Sequence, residues 1–168
     1  MTERKGIVTL KGNPMTLLGP ALKVGDAAPP FTVVDGSLAP VSLKDFVGKK
    51  KLLSVVPSLD TPVCELQTKR FHEEAAGLPA GVAVLTISMD LPFAQSRFCT
   101  THGIDKIRVL SDYQTGAFGE AYGVLIKEVR LLARSIFVLD AQDVIRHVQI
   151  VPEVSSHPDY DAALQAVR

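Results

Sequence analysis

Apolar and polar positions alternate in short blocks along this chain, and the spacing inside each block predicts its element. Two apolar stretches, Gly6–Leu10 and Met15–Leu18, flank Lys11-Gly12-Asn13-Pro14 and read as a β-hairpin at about residues 6–18. Val24 to Pro30 is a proline-limited connector. Phe31–Val34 then reads as a strand, Asp35-Gly36-Ser37 as a turn and Val41–Leu43 as a further extended piece. Lys51–Val56 is a continuous apolar run of the kind found in a central strand covered on both faces. Val82–Ser88, Ile107–Leu110, Arg134–Leu139 and Val144–Val151 repeat it. Helical segments fall between them, at about Pro62–Ala76, Pro92–His102, Gly116–Tyr122 and Tyr160–Val167. Strands alternating with helices, then two strands joined by Asp140-Ala141-Gln142-Asp143, predict an α/β fold with a mixed central sheet flanked by helices.

At 168 residues, with no internal repeat or linker composition, the chain is expected to be one domain, 1–168. Lys+Arg and Asp+Glu both number 18, so no net field draws the protein to nucleic acid or to an acidic membrane surface. No signal-length or membrane-length apolar segment is present, which makes the cytoplasm the expected location. Two cysteines are too few for a secreted disulfide scaffold, and in a reducing compartment such a pair is catalytic, redox-active or simply buried.

The stretch Val56-Pro57-Ser58-Leu59-Asp60-Thr61-Pro62-Val63-Cys64 places one cysteine just after a buried strand. Proline is favoured at the first helical position and threonine at the N-cap, so a helix starting at Pro62 holds Cys64 in its first turn. Unpaired N–H groups and the positive end of the helix dipole favour a thiolate there. At about 100° per residue, Cys64 shares a side with Phe71 and Ala75, which turns the sulfur towards packed structure. A free cysteine is also a common inert filler. The arrangement of strand, short loop, cap and cysteine nevertheless suits a nucleophile at the carboxyl end of a sheet. Arg134, at the mouth of the run Ser135–Leu139, is a candidate cation for the same strand end, or else an exposed edge residue.

Pro57-Ser58-Leu59-Asp60-Thr61-Pro62-Val63-Cys64 resembles the P-x-x-x-T-x-x-C signature of peroxiredoxins. Its form PSLDTPVC is similar to that of the atypical two-cysteine thiol peroxidases. Asp90-Leu91-Pro92-Phe93-Ala94-Gln95-Ser96-Arg97-Phe98-Cys99 resembles the segment carrying that group's second cysteine. Agreement extends to Ala121-Tyr122-Gly123-Val124, Leu132-Ala133-Arg134-Ser135 and Pro158-Asp159-Tyr160. The resemblance implies a thioredoxin fold of peroxiredoxin type and a peroxidase without cofactor or metal. It implies Cys64 as the peroxidatic cysteine, Thr61 as the hydroxyl beside sulfur and peroxide, Pro57 as the pocket shield and Arg134 as the thiolate's cation. Cys99 would be the resolving cysteine, closing an intramolecular disulfide with Cys64. Hydrogen peroxide and alkyl or lipid hydroperoxides are the implied substrates, thioredoxin the implied reductant and a homodimer the implied assembly.

Cys99 lies 35 positions beyond Cys64, so this is no Cys-x-x-Cys motif. A permanent bridge closing that loop would stabilise the fold by roughly 3–4 kcal/mol in the chain-entropy model, so a structural disulfide is a competing reading. Zinc held by Cys99 and His102 lacks a further ligand pair, and His72, His147 and His157 form no cluster with them. A cysteine hydrolase would need His72 as base, but eight residues along a helix puts it two turns from Cys64. A disulfide oxidoreductase and a redox sensor remain alternatives. A first-turn cysteine bonding to Cys99 calls for local unfolding around residues 61–68 and 93–100.

Overall fold

The computed structural model describes residues 2–168. Its strands are β1 Glu3–Leu10, β2 Asn13–Leu18, β3 Thr32–Val34, β4 Pro40–Ser42, β5 Lys50–Val55, β6 Val82–Ser88, β7 Arg108–Ser111, β8 Leu125–Ile126, β9 Ser135–Leu139 and β10 Ile145–Ile150. Helices α1 Pro62–Ala75, α2 Pro92–His102, α3 Ala117–Ala121 and α4 Tyr160–Val167 lie where the spacing placed them, to within a residue or two. The extended piece expected at Val41–Leu43 lies one residue earlier, at Pro40–Ser42, because Leu43–Phe46 winds into a 3-10 turn that buries Leu43 and Phe46 together. The hairpin begins earlier, at Glu3. Its loop is only Lys11-Gly12, both with positive φ (51° and 81°), as in the primed turns that match strand twist. The two-residue strand β8, invisible to periodicity, completes the hairpin's sheet by pairing with β2.

The main sheet has the order β10-β9-β5-β6-β7-β3-β4. β5, β6 and β7 run parallel, whereas β9 is antiparallel to β5 and β10 to β9. The apolar runs divide by alternation into two cores. Leu52, Val84, Ile136 and Val138 face Phe71 of α1, Phe98 of α2 and Leu164 of α4. Leu53, Leu85, Phe137 and Leu139 face Phe118 of α3, Tyr122 and the hairpin residues Val8 and Leu17. Continuous apolarity was therefore the correct sign of strands covered twice.

This topology brings four chain segments to one edge. The carboxyl ends of β5 and β6 emerge side by side, with Val55 opposite Ile87. Because β9 is antiparallel, its first residue Ser135 sits opposite Val55. The last residue of β10, Ile150, pairs with Ser135 in turn. Loop 57–61, the Met89–Leu91 turn, Arg134 and the Val151–Val154 segment thus meet at the carboxyl ends of the parallel strands.

Candidate active site

Cys64 occupies the third position of α1 and is completely buried, together with Gln67, Thr68 and Phe71 on the same face. Pro62 has no N–H, and the first intrahelical bond runs from Glu65 N–H to the Thr61 carbonyl (3.0 Å). The Val63 and Cys64 N–H groups therefore have no carbonyl partner within the helix, and their partial charge favours an anion.

Arg134 is also buried, with 1% of its surface exposed. Its guanidinium makes three hydrogen bonds: Nε donates to the Val154 carbonyl (2.7 Å), Nη1 to Gln67 Oε1 (2.8 Å) and Nη2 to Cys64 Sγ (3.1 Å). None of these acceptors is a carboxylate. Among these acceptors, Cys64 Sγ is the one atom able to carry a full negative charge beside the buried guanidinium. Gln67 is oriented by donating from Nε2 to Ser54 Oγ (2.8 Å), both residues being fully buried. Neither Gln67 nor Ser54 was singled out from the sequence. The available signal was Gln67's position three residues after Cys64, a polar side chain on the inward face of the helix.

Thr61 is the N-cap by position, yet its side chain makes no cap hydrogen bond, contrary to the capping role expected of its hydroxyl. Oγ1 instead donates to the Ser58 carbonyl (2.9 Å), which closes the loop and leaves its lone pairs as acceptors. Pro57 is buried at the exit of β5. A hollow of about 490 Å³ lies beside this loop, with Leu91, Phe93 and Ala94 as its apolar wall and Asp60 and Arg97 as its charged one. Another, of about 570 Å³ between Phe31, Ser42 and Gln114, holds no cysteine.

Cys99 is half-buried on α2, and burial pushes its thiol up from the ordinary range. Its carbonyl accepts from the N–H of Gly103, in the left-handed conformation (φ 64°), and from Ile104 (2.9 Å). That pattern ties off the end of α2 as a Schellman cap. Cys64 and Cys99 are both free and belong to the same apolar core, so no structural disulfide is present. His72, the candidate base of a hydrolase, is engaged with Asp105 at 3.0 Å. His102 packs against Phe98 at a tilt of 47°, with ring centroids 4.5 Å apart.

The Redoxin family model matches residues 23–164. The chain belongs to the redoxin family. Among curated proteins this redoxin is 55% identical to a thiol peroxidase of Halalkalibacterium halodurans over 96% of each chain. It is 53% identical to one of Bacillus subtilis over the same share of each. A crystal structure of a peroxiredoxin-like protein from Aquifex aeolicus superposes on this redoxin with a TM-score of 0.90 at 46% identity, covering 98% of this chain and 95% of that one. The thiol peroxidase from Chromobacterium violaceum shares the fold (TM-score 0.83, 24% identity, 92% and 91% of the chains). Among the described residues no helix is long and apolar enough to cross a membrane.

Proposed function

We propose that this thiol-dependent peroxidase works as one domain and reduces hydroperoxides at Cys64. The observation that carries the reading is the buried Arg134 guanidinium, whose one candidate counter-anion among its hydrogen-bond acceptors is Cys64 Sγ at 3.1 Å. The thiolate attacks the distal oxygen of ROOH: an S–O bond forms, the O–O bond breaks, and RO⁻ leaves and takes a proton to become ROH. Arg134 and the free N–H groups of the first turn of α1 lie where charge develops during that transfer. The Thr61 hydroxyl, with its own proton committed to Ser58, accepts from the peroxide O–H and orients it. Pro57 keeps bulk water from the sulfur.

The product, Cys64 sulfenic acid, condenses with the Cys99 thiol to give a disulfide and water, which halts further oxidation. A thioredoxin-type dithiol then exchanges with that disulfide and returns both thiols. Hydrogen peroxide and alkyl or lipid hydroperoxides are the substrate class, and the Leu91, Phe93 and Ala94 wall of the nearby hollow favours the organic ones. Phe93 and Leu91, exposed by 66% and 53%, also offer an apolar surface for pairing two copies of the chain. A reducing compartment such as the cytoplasm suits free thiols of this kind.

The test is rapid mixing of reduced protein with a hydroperoxide, beside Cys64→Ser and Cys99→Ser, with mass spectrometry of the products. Fast consumption is lost only in Cys64→Ser, while Cys99→Ser turns over once and accumulates Cys64 sulfenic and sulfinic acid. Reaction of Cys64 no faster than that of a free thiol sinks the reading.

A further inference from the structure

Asp90 stands in the turn between β6 and α2, and the proposed chemistry assigns it nothing. Its carboxylate gathers donors from two segments. Oδ1 accepts from Ser58 Oγ (2.7 Å), and Oδ2 accepts from the Leu59 N–H (2.8 Å) and Ser88 Oγ (2.7 Å). On the other side, the Asp90 N–H donates to Ser88 Oγ (3.2 Å) and its carbonyl accepts from Ser111 Oγ. Ser88 in turn accepts from Gln95 Nε2 of α2 (3.0 Å), which also donates to the Leu110 carbonyl (2.8 Å). One side chain therefore joins the loop before Cys64 to the strand and helix that lead to Cys99.

The rigid part of this cluster is the β6–β7 side, where Ser88 pairs with Ser111 inside the sheet. The movable part is Ser58-Leu59, which has left β5 and is held by the Asp90 carboxylate, the Thr61 contacts to the Ser58 carbonyl and the burial of Leu59. We propose that Asp90 is a positioning residue, a latch that holds the Cys64 loop closed and thereby sets the partition of oxidised Cys64 between its two fates. This rests on the peroxidase reading above.

In the closed state a second ROOH reaches the sulfenic sulfur: a new S–O bond forms, the O–O bond breaks, ROH leaves, and Cys64 becomes sulfinic acid. In the open state the Cys99 sulfur attacks the sulfenic sulfur: an S–S bond forms, the S–O bond breaks, and water leaves. The ratio of sulfinic acid to disulfide at a fixed peroxide excess thus reports the closed fraction.

The experiment compares wild type with Asp90→Asn and Ser58→Ala. Each reduced protein is mixed with one equivalent and then with a large excess of hydrogen peroxide, and the two Cys64 products are quantified by mass spectrometry. A hydrogen bond to a charged acceptor shifts an equilibrium by roughly tenfold or more, so Asp90→Asn lowers the sulfinic-to-disulfide ratio by about tenfold. Ser58→Ala, which removes a single donor, lowers it less and in the same direction. Hydrogen exchange at residues 58–63 rises in parallel. A purely structural Asp90 would lower the thermal midpoint and leave the ratio where it was. Should Asp90→Asn not fold, Ser58→Ala carries the test alone. A ratio within about twofold of wild type in the folded variants overturns the latch, provided the wild type has formed its disulfide at one equivalent. If the wild type forms no Cys64–Cys99 disulfide there, the underlying mechanism has failed and the latch fails with it.

Discussion

Replacing Arg134 separates what its charge does from what its shape does. In Arg134→Met the cation is gone while the stem volume is nearly kept, leaving Cys64 Sγ, Gln67 Oε1 and the Val154 carbonyl without donors. Two unit charges 3.1 Å apart attract by about 5 kcal/mol at an effective dielectric of about 20. Water admitted to the site and relaxation of Gln67 recover part of that, so a net loss of about 2–4 kcal/mol is expected. At about 1.4 kcal/mol per tenfold, the second-order rate with hydroperoxide falls by roughly 30- to 1,000-fold. Arg134→Lys keeps the charge but replaces a planar fork that serves three acceptors with one ammonium, which cannot reach all of them at once. It should fall by roughly tenfold, about the value of one charge-assisted hydrogen bond. Stopped-flow measurement of peroxide consumption gives both rates, and circular dichroism shows whether the fold survives. A rate for Arg134→Met within about threefold of wild type, in a folded protein, would refute the assignment of Arg134 as the thiolate's cation.

Two further outcomes follow from the supports of the site. Glu153 ties the hairpin to the segment carrying the Val154 carbonyl, accepting from Ser155, the Gly12 N–H (2.8 Å) and Thr9 Oγ1 (2.9 Å), and these bonds hold its carboxyl at about 2, below its usual value of 4.5. With the folded value depressed, its contribution is fully present above about pH 4.5 and is lost as pH falls towards about 2. The protection of β1 and β2 amides, measured against their intrinsic exchange rates, should therefore fall in that window for wild type, and Glu153→Gln should remove that part of the pH dependence. Gly123, at φ 69°, would drive a Cβ to 1.9 Å from the Pro20 carbonyl, whereas Gly25, at φ 97°, has open space around it. Gly123→Ala should cost at least about 3 kcal/mol and Gly25→Ala only about 1, read from denaturant midpoints, and equal losses would contradict the packing argument.

The elements were largely legible because each obeys a local rule. The unbroken apolarity of β5, β6 and β9 follows from cover on two faces, and Pro62 and Pro92 mark helix starts through their missing N–H groups. Cys64 was legible for the same reason, since its place in the first turn of α1 depends on neighbouring residues alone. Strand β8 left no trace, because two residues carry no period and exist as a strand only through β2.

The partners of Cys64 belong to the tertiary structure. Arg134 reads equally well as an exposed edge residue until β9 pairs antiparallel with β5 and carries it into the core. Asp90 looks like a turn residue until the parallel ends of β5 and β6 bring Ser58 and Leu59 to it. Sequence alone determined the turn, the cap position and the thiol at the head of a helix, all set by interactions within a few residues. The charge that holds that thiol and the carboxylate that holds its loop come from positions 70 and about 30 residues away in the chain. Only strand order and direction decide such distances, and those follow from how the whole set of apolar faces is buried at once.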